Sequence, residues 1–436
     1  MVSHKEQAKL QQRRKKQLDL MLIITGILAC AGLVYLYWEV DFTQIYEPVT
    51  VQFMEEPEPE ELDLEIDTEV PTVPGILQEQ KPVTTPEYVV PVRGVKKLNY
   101  TFGMAFGETL SVASEYELER TLDDIKSLGV GWVRVDMAWN SIQPVSKDTF
   151  VWGSFDRIVS EAQERGIAVL PIITYTPTWA RDESCSTSKC PPADSEVFAE
   201  FARTAVLRYS PQGVHVWEIW NEPNIQKFWE SGADYARYAD LLKHTYRAIH
   251  EVDGNAIVLS GGLAPTDTKR GNITAREFLE GMYEHGAGGY FDAVAFHPYS
   301  FPLGPEDLDR TNAWSQMADM EWNLRASMRE HGDAHKKIWI TEYGAPTGGP
   351  GSIASNSTHI PWSIPDHVTE AYQKELLVQA MQAQRAQAWM GPLFWYSYQD
   401  LGTNETTTEN FFGIIRYDGS QKPAYYVLKH LLTEQN

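Results

Sequence analysis

The chain has 436 residues, of which 43% are hydrophobic, and a formal net charge of -23 at pH 7. A chain of this length and composition can bury one large core or two ordinary ones, which excludes an intrinsically disordered protein. The negative charge argues against nucleic acid as a partner, because a phosphate backbone is bound by clustered Lys and Arg.

The N-terminal 38 residues have the pattern of a membrane anchor. A basic segment, residues 1–19, precedes the apolar run LMLIITGILACAGLVYLYW at 20–38, and a helix of about 20 apolar residues spans a bilayer. A cleaved signal peptide is the alternative, but its apolar region has about 7 to 15 residues and ends at small residues. We therefore predict an uncleaved signal-anchor helix with a cytoplasmic N-terminus, which places the rest of the chain outside the membrane.

Residues 39–95 differ in composition from what precedes and follows them. They include the acidic, proline-containing run EEPEPEELDLEIDTEVP and lack a sustained apolar pattern. Such a segment buries too little apolar surface to offset the entropy of folding. We predict a disordered acidic linker that separates a folded domain, residues 96–436, from the membrane.

Apolar, β-rich runs alternate with helix-like stretches along the folded domain. Eight such units over this length predict an α/β fold with a single (β/α)8 TIM barrel. A hairpin-like stretch, FFGIIRYDGSQKP, precedes the last predicted helix. The predicted strands are residues 100–107, 130–137, 167–174, 214–220, 256–262, 291–297, 337–344 and 391–398.

Two glutamates lie at the carboxyl ends of predicted strands. Glu222 follows the fourth strand in VWEIWNEPN, and Glu342 ends the seventh in IWITEYG. The carboxyl ends of the strands form one face of such a barrel, and that face holds the active site in enzymes with this fold. The two carboxylates are therefore predicted to face one pocket.

Paired carboxylates are what glycosidic bond hydrolysis requires. One protonates the departing oxygen, while the other attacks the anomeric carbon or activates water. The acid needs burial or a nearby anion to stay protonated, whereas the nucleophile needs donors or a cation to stay ionised. Arg134, near the end of the second strand, can supply that cation; an ion pair at the barrel mouth without a functional role is the alternative.

Four motifs resemble those of the clan A retaining glycosidases: WNEPN, FHPYS, ITEYG and FWYSYQD. The chain is most similar to family 39 and the related cellulase-like endoglycosidases that bacteria export to cut exopolysaccharide, over residues 100–432. The resemblance implies a β-linked poly- or oligosaccharide substrate and a double-displacement mechanism. It makes Glu222 the acid/base and Glu342 the nucleophile.

The resemblance also implies roles for five neighbouring residues. Asn221 would bind the 2-hydroxyl of the sugar at the cleavage point. Arg134 and Tyr299 would hold the carboxylate of the nucleophile. His297 would line the floor of the site, and Trp395 would be a stacking platform for a sugar ring.

Three further aromatic residues follow predicted strands two and three. Trp139, Tyr175 and Trp179 are candidates for stacking on sugar rings at the flanks of the cleft, with loop packing as the alternative. His297 has no second His or Cys at ligand spacing, so we predict neither a metal nor a cofactor.

Cys185 and Cys190 lie five residues apart in CSTSKC, after the third strand. In a domain outside the membrane, oxidation is permitted, and this spacing predicts a disulfide-closed loop. Free thiols and a metal clip are the alternatives.

Two other functions are alternatives for the same barrel. One is a polysaccharide-binding protein without catalysis, although a binder does not need two ionisable groups at these strand ends. The other is a transglycosylase that remodels an envelope polysaccharide with the same residues. Turnover of an aryl glycoside separates the first from an enzyme, and products formed with a sugar acceptor identify the second.

Overall fold

A computed structural model describes most of the chain from residue 98 onwards. The predicted cytoplasmic segment, membrane helix and linker, residues 1–95, lie outside the described part. No helix in the described part is long and apolar enough to cross a membrane. The described residues are 98–182, 185–307, 312–318, 320, 322–357 and 366–433.

Eight parallel strands form a closed barrel, in which each strand pairs with its neighbours in the chain and the last pairs with the first. This confirms the predicted (β/α)8 architecture, and each strand boundary lies within two residues of its predicted position. The strands are β1 (Asn99–Gly107), β2 (Val130–Ala138), β3 (Ala168–Thr174), β4 (Val216–Asn221), β5 (Ile257–Gly262), β6 (Ala293–Phe296), β7 (Lys337–Tyr343) and β8 (Met390–Tyr396).

Helices surround the barrel and connect successive strands. A separate two-stranded ladder pairs Ile353–Ala354 with His367–Val368. The helices in the described part are α1 (Thr109–Val112), α2 (Glu115–Leu128), α3 (Trp139–Ile142), α4 (Gly153–Glu164), α5 (Ser195–Tyr209), α6 (Tyr235–Val252), α7 (Ala275–Glu284), α8 (Ser315–Ala318), α9 (Leu324–Glu330), α10 (Glu370–Ala386) and α11 (Pro423–Thr433).

Helix α2 shows how local sequence sets the boundaries of an element. Ser114 accepts a hydrogen bond from the backbone N–H of Glu117, whose side chain accepts one from the backbone of Ser114. This capping box satisfies two of the N–H groups that a helix start leaves free. Gly129 ends the helix with φ 82°, a left-handed conformation that glycine adopts without strain.

The barrel interior changes from apolar to polar along its axis. Its lower part is filled by aromatic rings, with Trp132 packed edge-on against Trp339 and against Phe394. Above them lies a buried polar layer that includes Arg134 and Glu218. Buried ionised groups are costly unless they are paired, so a polar layer inside a barrel is unusual. The layer marks the carboxyl ends of the strands, where active sites lie in this fold.

Candidate active site

A cavity of about 710 Å³ opens at the carboxyl ends of the barrel strands. The residues that line it come from loops after several different strands, as expected for the functional face of this fold. Five of the residues singled out in the sequence contribute to its wall: Tyr175, Asn221, Glu222, Tyr299 and Glu342.

Arg134 lies beneath this cavity with no exposed surface. Its Nε and Nη2 donate to the two oxygens of Glu218, at 2.7 and 2.9 Å. Nη2 also donates to Oδ1 of Asn221 at 3.1 Å, and Nη1 donates to Oε1 of Glu342. A planar guanidinium can serve three acceptors at fixed angles, which a lysine cannot do. Arg134 therefore fixes Asn221 and Glu342 relative to one another.

Glu342 is held as a carboxylate by donors on both of its oxygens. Arg134 occupies Oε1, and the hydroxyl of Tyr299 donates to Oε2 at 3.0 Å. Burial acts to raise the pKa of Glu342, but the nearby His297 and Arg134, together with the hydrogen bonds from Arg134 and Tyr299, outweigh burial and lower the pKa. The side chain is therefore ionised at neutral pH, as a nucleophile must be.

A β-bulge directs the Glu342 side chain into the cavity. Leu393 and Trp395 of β8 pair with Ile340 and Tyr343 of β7, so two steps along β8 match three along β7. An extra residue in one strand re-aims the side chains beside it. The bulge explains why Glu342 faces the cavity next to the buried inward-facing Thr341.

His297 connects the two carboxylates at the floor of the site. Its Nδ1 lies 3.0 Å from Oε1 of Glu222 and 3.9 Å from Oε2 of Glu342. One imidazole nitrogen within reach of both groups requires them to be close together. This contact is compatible with the separation of about 5 to 5.5 Å typical of retaining enzymes.

The backbone of β5 leaves space for His297. A Cβ atom built on Gly262 would lie 2.0 Å from Nε2 of His297, a distance that no side chain can tolerate. The carbonyl of Gly262 also accepts a hydrogen bond from the Glu222 N–H at 3.0 Å. Glycine at this position therefore allows His297 and Glu222 to approach one another.

Three non-glycine residues at this end of the barrel have positive φ angles: 65° for Tyr175, 73° for Trp220 and 44° for Glu222. Such conformations cost energy and concentrate at functional sites. At Trp220 the unusual φ interrupts the alternation of the strand. The indole packs outward against Trp229, and Asn221 and Glu222 line the cavity.

Trp395 does not serve as a stacking platform, contrary to the prediction. Alternation along β8 places Phe394 inside the barrel and Trp395 on its outer face, fully buried and edge-on against Tyr343. The next residue, Tyr396, lines the cavity, and its hydroxyl donates to Glu409 at 2.7 Å. The aromatic position was therefore misplaced by one residue.

Trp139 and Trp179 also lie outside the cavity lining. Trp139 is fully buried between the barrel and α5, where it stacks on Phe201. Trp179 packs edge-on against Trp139 and donates its Nε1 hydrogen to the carbonyl of Gln143. Both belong to loop and helix packing, the alternative stated for them, whereas Tyr175 lines the cavity.

Sequence reasoning missed two buried acids near the site, Glu218 and Asp136. Glu218 is the partner of Arg134 and also accepts from the N–H of Gly262. Asp136 lies two residues beyond Arg134 on the same face of β2 and lines the cavity. The signal was available, since a charged residue inside an apolar strand run is rarely buried without a specific role.

The guanidinium network gives a prediction about stability. Replacing Arg134 by Met leaves the carboxylate of Glu218 buried without its cation, and both side chains of this pair have zero exposure. Breaking a buried pair in this way costs about 3 to 5 kcal/mol. We expect this loss in the free energy of unfolding measured by urea denaturation.

Replacing Arg203 by Met breaks the solvent-exposed pair with Glu251 and should cost at most about 1 kcal/mol. Equal losses in the two variants would contradict this assignment.

A disulfide joins Cys185 and Cys190 in the loop after β3, as predicted. Glu230 holds the same loop by accepting hydrogen bonds from Ser186 and Thr187. The loop thereby presents Lys189 at the cavity. A fixed loop at this place can shape one wall of the cleft.

The disulfide is testable with a protein that starts near residue 96, in which these are the only two cysteines. Cys190 is fully buried, so resistance to alkylation in the native state alone would not distinguish a disulfide from a buried thiol. We expect no labelling by iodoacetamide even in denaturant, and labelling of both cysteines once a reductant is added. Labelling in denaturant alone, read by mass spectrometry, would disprove the bond.

No group of three or more His, Cys, Asp or Glu side chains in the described residues is arranged to hold a metal ion. Apart from Glu222 and Glu342, five charged side chains line the cavity, one from β2 and the others from segments that follow strands. They are the acids Glu108, Asp136 and Glu409 and the lysines Lys189 and Lys227.

Comparison with known proteins agrees with this geometry. Residues 95–386 match the model of the cellulase family, glycosyl hydrolase family 5. This match includes both glutamates and most of the barrel, which is about two thirds of the chain.

Solved structures with the same fold include several glycoside hydrolases. A family 39 glycoside hydrolase from Bacteroides cellulosilyticus WH2 matches with a TM-score of 0.58 and 21% identity, over 79% of this chain and 66% of that chain. A family 39 β-xylosidase from Caulobacter crescentus matches with a TM-score of 0.55 and 18% identity, over 77% and 71%. A subfamily GH5_18 structure from Streptomyces cattleya, in complex with GlcNAc, matches with a TM-score of 0.54 and 16% identity, over 77% and 80%. The chain thus spans just under two thirds of the first of these proteins.

Proposed function

Because the chain belongs to the cellulase family, glycosyl hydrolase family 5, we propose that it hydrolyses β-linked glycosidic bonds of a poly- or oligosaccharide by double displacement. The observation that supports this most strongly is the bridge from His297 to both carboxylates. It brings two carboxylates close together, as the acid/base and the nucleophile of one glycosidic cleavage must be.

In the first step, an oxygen of Glu342 attacks the anomeric carbon. The bond from that carbon to the leaving oxygen breaks, and Glu222 gives its proton to that oxygen. The donors from Arg134 and Tyr299 on Glu342 orient the carboxylate before attack. Orientation of this kind removes much of the entropic part of the barrier. The product of this step is a covalent glycosyl ester on Glu342.

In the second step, water replaces the leaving group. Glu222, now a carboxylate, takes a proton from water, and the water oxygen attacks the anomeric carbon while the ester bond to Glu342 breaks. Two displacements at one carbon restore the original configuration. Both groups return to their starting protonation states, so the cycle balances without a cofactor.

Asn221 is placed to recognise the sugar next to the cleavage point. Its Oδ1 accepts from Arg134, which leaves its Nδ2 hydrogens to donate to a sugar hydroxyl in the cavity. We propose the 2-hydroxyl, in line with the family resemblance. A hydrogen bond to this hydroxyl strengthens as charge develops at the anomeric centre and so contributes to the rate.

The experiment that tests the proposed activity is a polysaccharide screen with a protein that starts near residue 96. Products are identified by mass spectrometry, in the absence and presence of a sugar acceptor. We expect shortened glycans with one added water per cut bond. Products extended by the acceptor would identify a transglycosylase instead, and an unchanged mass profile for every glycan, together with no cleavage of aryl β-glycosides, would leave only a binding role.

We further propose that a signal-anchor helix at 20–38 attaches the enzyme to a membrane with the barrel on the extracytoplasmic side. The basic flank and the apolar run support this arrangement. Full-length protein should sediment with membranes, and external protease should reach the barrel in intact cells. Full-length protein recovered in the aqueous fraction without detergent would contradict the anchor.

A further inference from the structure

Asp136 is a buried carboxyl group that the proposed mechanism does not use. On β2, Trp132 lies in the barrel interior and Arg134 lies above it. Alternation places Asp136 next on the same inward face. Its exposed fraction is 7%, and it lines the catalytic cavity. No hydrogen bond to its carboxylate is found among the described residues.

Asp136 has no hydrogen-bond donor among the described residues, whereas the buried acids Glu218 and Glu342 both accept hydrogen bonds from Arg134. Burial raises the pKa of Asp136 to about 7; Arg134 acts against this rise, while Glu342, Glu108 and Glu218 add to it. Buried polar groups are almost always hydrogen-bonded, and an unpaired one in a cavity is a site where a ligand can donate. The nearest cation, Arg134, already serves three other acceptors.

Two further acids accompany Asp136 in the cavity lining. Glu108 follows β1 and Glu409 lies in the segment after β8, and both line the cavity with Asp136. The Asp136 and Glu342 carboxylates each act to raise the pKa of Tyr175 and of Tyr396, which indicates that these groups lie close together. We call Glu108, Asp136 and Glu409 the acidic wall.

The cavity lining also contains two lysines that contact one aromatic ring. Lys189, from the loop after β3, lies 4.5 Å from the ring centre of Phe228, and Lys227, after β4, lies 5.1 Å from it. All three residues line the cavity. The charged groups that act most on the pKa of Asp136 are Arg134 and the three acids Glu342, Glu108 and Glu218, and neither lysine is among them. The surroundings of Asp136 are therefore negative on balance.

A hydroxyl group could donate to one carboxylate, but it would leave the mutual repulsion of the acidic wall in place. A bound positive charge stabilises all the carboxylates at once, since Coulomb attraction extends beyond a single contact. A metal ion needs several ligands converging on one point, and no such group is found in the described residues. An ammonium group on a sugar ring needs only one acceptor in contact with it. Its positive charge also stabilises the other carboxylates at longer range.

We propose that the glycone sugar, which carries the anomeric carbon attacked by Glu342, bears an ammonium group, as in an unacetylated hexosamine. Asp136 is the main acceptor of this group. The proposal rests on the glycosidase function proposed above and adds the chemical class of the glycone. A uronic acid is excluded from this position by the same wall, because like charges in a poorly solvated cleft repel strongly.

The test compares two matched pairs of β-1,4-linked tetrasaccharides. Glucosamine tetraose and cellotetraose differ in ammonium against hydroxyl, and mannuronate tetraose and mannotetraose differ in carboxylate against hydroxymethyl. Dissociation constants are measured by calorimetry at pH 7 with the full chain in detergent, in a Glu222→Gln background that slows cleavage of a glycan. Asp136→Asn is added to this background, with Asp148→Asn, an exposed acid outside the cavity lining, as the matched control.

We expect the Glu222→Gln protein to bind glucosamine tetraose at least tenfold more tightly than cellotetraose, and mannuronate tetraose at least tenfold more weakly than mannotetraose. Asp136→Asn should reduce both ratios to threefold or less, and Asp148→Asn should leave them unchanged. A second variant, Glu108→Gln, should reduce both ratios in the same direction and provides the test if Asp136→Asn does not fold.

Equal affinity for glucosamine tetraose and cellotetraose in the Glu222→Gln protein would overturn the proposal. So would ratios that persist in Asp136→Asn, or an equal loss of affinity for all four tetrasaccharides, since a merely structural role predicts the latter. The binding measurements need no turnover. If the ratios follow the expectation but the unmodified protein cleaves none of these glycans, the hydrolase function fails and the charge selection stands.

Discussion

Replacing Glu342 by Ala should abolish turnover of every substrate, with kcat lowered by about 10⁴-fold or more. In the proposed mechanism this carboxylate forms the covalent intermediate, and Arg134 and Tyr299 donate hydrogen bonds to its two oxygens. Among the carboxylates that line the described cavity, it is the one with a side-chain donor on each oxygen. Initial rates on an aryl β-glycoside and on a polysaccharide measure the effect.

The loss should be specific to the chemistry. Glu330→Ala removes an exposed glutamate at the end of α9 and should retain full activity. Because the Glu342→Ala change also leaves Arg134 with one unpaired donor, urea denaturation must show that the variant is folded. More than a few per cent of activity in folded Glu342→Ala would assign the nucleophile to another residue.

Replacing Glu222 by Ala should give a different result, because this residue acts on the leaving group and on water. A natural glycan has a poor leaving group, so its cleavage should fall by about 10² to 10⁴-fold, the usual contribution of general acid and base catalysis. An aryl glycoside with an acidic phenol needs no protonation. Its first step should proceed, and the covalent intermediate on Glu342 should accumulate as an early burst of released phenol.

Azide should then restore turnover of the Glu222→Ala variant. This anion attacks the intermediate without needing a general base, and the space left by the removed carboxylate admits it. Two displacements give a β-glycosyl azide from a β-glycoside, which proton NMR identifies. The α-azide, or no rescue despite an observed burst, would contradict the role of Glu222.

Periodic patterns in the sequence were enough to predict the barrel. Strand alternation and helical spacing depend on burial, and burial dominates in a closed barrel whose strands face a core on both sides. The ends of β4 and β7 placed Glu222 and Glu342 on the correct face for the same reason. Local capping also agreed with the pattern, as Ser114 and Gly129 show at α2.

The predictions that differ from the structure concern places where the backbone departs from regular alternation, or where an aromatic side chain can pack either in the cleft or against a helix. Counting along FWYSYQD does not show which of two adjacent aromatics faces inward, and the structure places Tyr396 there. The bulge in β7 and the positive φ of Trp220 are likewise not readable from residue types. Trp139 lies next to the end of β2, but it is fully buried and stacks on Phe201 of α5 instead of facing the cleft.

Two buried acids near Arg134 were not predicted from the sequence. Glu218 and Asp136 lie inside strands, so a prediction based on the residues at strand ends does not include them. Both share a face with Arg134 or pair with it. Charged residues inside apolar strands therefore merit the same attention as those that follow them, because burial without pairing is costly.

The most direct test of the account is the anomeric configuration of the first product. A β-glycoside is incubated with the unmodified enzyme in an NMR tube, and the anomeric proton signals are followed before mutarotation equilibrates them. The roles proposed for Glu222 and Glu342, which His297 brings together, predict a double displacement, so the β-anomer should appear first and the α-anomer only later. If the α-anomer appears first, the reaction is a single displacement by water, and Glu342 is not the nucleophile.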